Sequence, residues 1–122
     1  MEMGLKATLN NFASNVNQNA QVQRLTKNWT VDINLQCSDQ DKQFLIVVNQ
    51  GQVVEIKELN DCTAQERKET VLLRTHTDCF MDIFEGRCNP AIASLEGDLQ
   101  VFGDEQHSIK LDAIALILWG FH

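Results

Sequence analysis

The chain lacks a basic tract. Its 122 residues carry 10 Lys and Arg against 17 Asp and Glu, a net charge of −7, and no run of cations is longer than Arg67-Lys68. Electrostatic capture of nucleic acid or of an anionic membrane is therefore excluded. A long apolar run is also missing. The longest, Ala113 to Trp119, is too short to span a hydrocarbon layer of about 30 Å. The opening residues MEMGLKATLNNF lack the basic start and apolar stretch of a signal peptide. The closing WGFH is neither a peroxisomal nor a prenylation signal. A cytoplasmic protein with no transmembrane segment is the expectation.

Catalytic vocabulary is equally sparse. There are three histidines, His76, His107 and His122, and no G-x-S-x-G, Walker A or G-x-G-x-x-G motif. The four cysteines, Cys37, Cys62, Cys79 and Cys88, form no C-x-x-C pair, so free and partly buried thiols are expected. His76, Cys79 and Cys88 could offer three zinc ligands, but their spacing is not that of a finger. Cys79 near a helix start could be reactive, yet no base stands beside it. The reading is of a chain with no catalytic residue, no metal and no cofactor.

What is present is patterned apolar content, in a length that suits one domain, residues 1–122. Residues 1–26 form an N-terminal helical region. Leu5, Leu9, Phe12 and Val16 recur as one stripe, with Lys6, Thr8, Asn10, Asn11 and Ser14 opposite. A short turn follows around Val22 and Leu25. Residues 28–57 form a β-meander. Its first strand alternates Trp29, Val31, Ile33, Leu35 and Cys37 with Thr30, Asp32, Asn34 and Gln36, a buried and a wet face. Phe44 to Val48 is an unbroken apolar strand, expected to be covered on both sides. A turn at Gly51 leads to a third strand, Val53 to Ile56. Lys57 to Thr70 is polar and reads as a loop with one helical turn from Thr63.

Residues 70–104 give strand, helix, helix, strand. Val71 to Leu73 is the first strand. Thr77 or Asp78 caps a helix bearing Phe80, Ile83 and Phe84, which Gly86 ends. Asn89-Pro90 restarts a helix, with Ile92 and Leu95 expected to face inward. Leu99 and Val101 alternate with Asp98 and Gln100 as a strand ending at Gly103. Residues 105–120 are a C-terminal helix, apolar almost all round from Ala113 to Trp119. The order indicates an α+β fold with helices on one face of the sheet.

The run Asp78-x5-Phe84-x-Gly86-x2-Asn89-Pro90, then Gly97-x-Leu99-x-Val101-x-Gly103-Asp104 and Leu111, resembles the sterol carrier protein type 2 family. Gly86-Arg87-Cys88-Asn89-Pro90 stands for its G-K-x-N-P turn, with Arg for Lys. Gly97 to Asp104 stands for its G-x-L-x-I-x-G-[ND] strand. The likeness covers about residues 70–118 and more weakly 28–57, including Trp29-x2-Asp32. It is greatest to the C-terminal domain of bacterial alkyl sulfatases, without the histidine motif of their catalytic domain.

The resemblance implies an α+β fold, a sheet of about five mostly antiparallel strands with helices on one face, and an apolar tunnel between sheet and helices. It implies non-catalytic binding or transfer of a lipid, fatty acid, acyl chain or sterol. The corresponding pocket residues are Phe80, Ile83, Phe84, Ile92, Leu95, Leu99, Val101, Leu111, Ile114 and Leu118, with the final helix as lid. The alternative is an accessory module with a filled core, whose apolar tail and N-terminal stripe bury against a second copy in a homodimer.

Overall fold

The computed structural model describes residues 4–40, 42–59 and 70–120. Among these, the chain runs α1 (Leu5–Gln18), α2 (Ala20–Thr26), β1 (Val31–Cys37), β2 (Gln43–Asn49), β3 (Gln52–Leu59), β4 (Thr70–Thr75), α3 (Thr77–Phe84), α4 (Pro90–Leu95), β5 (Gln100–Phe102) and α5 (Glu105–Trp119). The strands form one sheet in the order β3-β2-β1-β4-β5. Every pairing is antiparallel except β1 with β4.

Register explains which face is buried. Ile33 lies opposite Ile46 on β2 and Val71 on β4, and Leu35 opposite Phe44 and Leu73. Leu73 in turn faces Val101. These side chains form one apolar surface, and the helices pack on it through Leu9, Phe12, Val22, Phe80 and Ile114. The Phe44–Val48 run is covered on one side only: Phe44, Ile46 and Val48 are buried, while Leu45 and Val47 are half-buried on the opposite face. That face is not uniformly wet either. Asp32 is 7% exposed, flanked by Val47 and Thr70 on the neighbouring strands, because a central strand is shielded from both sides. The Oδ1 of Asn34 is buried there with no hydrogen-bond partner among the described residues.

The β2–β3 hairpin turns on two residues, Gln50 and Gly51, both at positive φ (50° and 82°), the backbone of a type I′ turn. A Cβ at Gly51 would stand 2.6 Å from the Thr26 carbonyl oxygen, so glycine also lets α2 close onto the hairpin. β3 extends to Leu59 rather than ending at Ile56, and β4 begins at Thr70. The helical turn expected from Thr63, and Cys62, lie outside the described residues. Thr8 is not on a wet face: it is buried, and its hydroxyl donates to Glu85 Oε2 at 3.1 Å.

Candidate functional site

Between α3, α4, α5 and the β4–β5 edge lies a cleft of about 160 Å³. Its floor is Leu73, Leu99 and Val101. One wall is the α3 face carrying Phe80, Ile83 and Phe84, which share a stripe because they sit at i, i+3 and i+4. The facing wall is α5, through Leu111, Ala115 and Trp119. Phe12 closes the far end from α1, its ring 4.9 Å from Phe84 in an edge contact and 5.9 Å from Trp119.

Local features hold these walls. α3 is capped by His76, whose Nδ1 accepts from the Cys79 N–H at 3.2 Å. Neither Thr77 nor Asp78 is the cap, because the helix begins one residue earlier than expected. Thr77 instead gives both its N–H and its hydroxyl to Asp39 Oδ1, each at 2.9 Å. Those bonds hold the Asp39 carboxyl below the usual carboxylate range, the Thr77 N–H first among them. Gly86 has φ of 81°, and a Cβ there would stand 2.6 Å from Trp119 Cδ1. The end of α5 therefore rests on the turn that ends α3.

α5 is fixed at its other end as well. The buried Trp29 donates its ring N–H to Nδ1 of the buried His107 at 2.8 Å, and Lys110 Nζ donates to the Leu25 carbonyl at 2.9 Å. That carbonyl lies in the last turn of α2, where a cation is favoured.

Six of the ten expected pocket residues line the cleft: Phe80, Ile83, Phe84, Leu99, Val101 and Leu111. Four do not. Ile92 and Leu95 are 50% and 87% exposed. At about 100° per residue, Pro90, Ala91 and Ser94 of α4 share the arc that faces the cleft, which turns Ile92 and Leu95 outward. Ile114 is buried one stripe over, in a void of about 10 Å³ beside Trp29 and Ile33. Leu118 faces a surface groove with Asn15, Gln18 and Asn19. Sequence reasoning missed Phe12, Leu73, Ala115 and Trp119. Phe12 and Trp119 stood in recognised apolar stretches, but nothing local tells which stripe meets which cavity.

The side-chain polar groups of the lining are Ser94, Ser108 and Asp112, of which Ser94 and Asp112 are solvent-exposed. Asp112 keeps solvent contact, yet partial desolvation raises its pKa. Burial raises the Cys37 and Cys88 thiols, and Cys79 is buried. Among the described residues no group of three His, Cys, Asp or Glu could hold a metal ion, and no helix is long and apolar enough to cross a membrane.

No protein-family model matches the chain, and no curated protein sequence matches it significantly. Solved structures do. The chain is similar to palmitated sterol carrier protein 2-like 2 from Aedes aegypti at 13% identity, covering 93% of this chain and 95% of that one, with a TM-score of 0.58. A ubiquinone synthesis protein, UbiJ-SCP2, matches at 9% identity over 93% and 94%, with a TM-score of 0.66. The sec-alkyl sulfatase PisA1, as a double mutant, matches at 14% identity and a TM-score of 0.65, covering 99% of this chain but 18% of that one. The fold is that of a sterol carrier protein 2 domain, here in a chain of 122 residues.

Proposed function

We propose that this domain binds a hydrophobic small molecule in the α3–α4–α5 cleft and carries it through the cytoplasm without chemical change. The observation that supports it is the cleft itself, an apolar void in a well-packed core whose walls are aromatic and aliphatic and whose polar groups gather at one end. The palmitated neighbour of the same fold adds support.

Volume decides how the ligand must sit. A cavity of about 150 Å³ holds a benzene-sized guest, so 160 Å³ takes one ring or about six carbons. Six methylenes gain about 5 kcal/mol gross, before the ordering costs of association. A longer chain needs the cleft to widen towards the several hundred cubic ångströms of ordinary ligand sites. The wall that yields is α4 rather than the final helix. α5 is pinned by His107, Lys110 and Trp119, whereas α4 has six residues, one of them, Ala93, buried.

The outward Ile92 and Leu95 favour a second reading, a face that docks on another molecule. The two readings part on one substitution. Ala91 sits at the cleft mouth and is solvent-exposed, so Ala91→Trp plugs the entrance without overpacking the core. Binding of the neutral solvatochromic dye Nile red should weaken about tenfold or more in Ala91→Trp, since a blocked pocket forfeits the transfer energy of several methylenes. Unchanged dye affinity in a folded variant would favour the docking face.

A further inference from the structure

The side-chain polar groups that line the cleft are Asp112, Ser108 and Ser94. Of its lining residues Asp112 alone is charged, and an ionised carboxylate accepts hydrogen bonds without donating any. Ser108, four residues earlier on the same face of α5, already spends its hydroxyl proton on the Glu105 carbonyl at 2.9 Å, which leaves lone pairs towards the cleft. Ser94 adds from α4 a hydroxyl that can donate as well as accept.

Among the described residues no cation pairs with this acid. Lys110, next to it but one, is drawn away to the Leu25 carbonyl, and Arg87 is held by Asp82 and Glu85. No described residue hydrogen-bonds to or ion-pairs with the Asp112 carboxyl. It is solvent-exposed where it meets the cleft, and a like charge brought beside it is penalised at close range.

We infer that the ligand presents an uncharged or cationic hydrogen-bond donor, such as a hydroxyl or an amine, to Asp112 and Ser108 at the cleft mouth, and that ionised carboxylic acids are selected against. This rests on the cleft holding an apolar tail, and it narrows the ligand class from lipids at large to neutral alcohols and amines. The head group lies at the mouth, the tail against Phe80, Ile83 and Phe84.

The test keeps the tail constant and changes the head. Decan-1-ol, decylamine and decanoate each compete with pre-bound Nile red in mildly alkaline buffer, where Asp112 and decanoate are ionised. The alcohol and the amine should displace the dye at concentrations about tenfold or more below decanoate, given the cost of like charges at close range. Asp112→Asn should bring decanoate close to decan-1-ol and weaken decylamine. Asp112→Ala removes the same charge by a second route, and circular dichroism checks that both variants fold.

Equal displacement by all three compounds would leave lipid binding standing and overturn the head-group selection, as would a wild-type preference for decanoate. A ratio unchanged in both variants would overturn the role of Asp112. Entry of neither dye nor amphiphile would overturn the binding reading and this inference together.

Discussion

Gly86 carries two constraints at once. Its φ of 81° lies in the left-handed region that side chains avoid, and the space where a Cβ would stand is taken by the Trp119 ring. Gly86→Ala should therefore cost about 2–4 kcal/mol, adding backbone strain to overpacking, read as a lower urea midpoint at unchanged slope. A loss under about 0.5 kcal/mol, the range of ordinary surface changes, would mean that Trp119 does not rest there.

Asp39 shows what the linear sequence hides at the same scale. The bonds from Asp39 to Thr77 span 38 positions and leave no local mark. Their effect on pH dependence has a definite sign. The folded-state pKa is lowered, so the stabilisation is present above the unfolded value of about 3.9 and is lost as pH falls through the folded value. Asp39→Asn should be less stable than wild type at neutral pH, with the gap closing in acid. A gap constant from neutral pH to strong acid would refute that.

At the scale of elements, helix and strand order was readable because apolar periodicity is a direct record of a buried face. α1 and β1 follow from it, while β2 follows from its apolar run and the start of α4 from the Asn89-Pro90 cap. α4 misleads for a physical reason. Large residues are assumed to point inward, but here Ala91, Ala93 and Ser94 point to the cleft or core while Ile92 and Leu95 face solvent. A helix that walls a cavity leaves room by presenting small residues. His107 was illegible for a different reason: a buried polar residue bonded to a tryptophan 78 positions away breaks no pattern that periodicity can detect.

The same contrast predicts local dynamics. Regions with few buried contacts open at lower free energy than the core. Hydrogen exchange should find the amides of α4 within the helix protected less than those of α3 and α5, by about tenfold or more. Addition of a bound amphiphile should slow them selectively. Protection of α4 equal to that of α5 in the free protein would contradict its role as the yielding wall.

For the whole molecule, the sheet and its helical layer were foreseeable in outline, with the motif run from Asp78 to Asp104 carrying the fold. The cavity was not. Whether facing stripes meet fully or leave a gap is a matter of ångströms, set by Trp119 on Gly86 at one end and the Trp29–His107 pair at the other. On that gap rests ligand binding. It is tested most directly by native mass spectrometry of the purified chain before and after incubation with a decyl alcohol or amine, alongside Ala91→Trp. The wild type should gain the mass of one ligand per chain and the variant little or none. An unchanged mass in the presence of excess ligand, or equal uptake by the plugged variant, would contradict it.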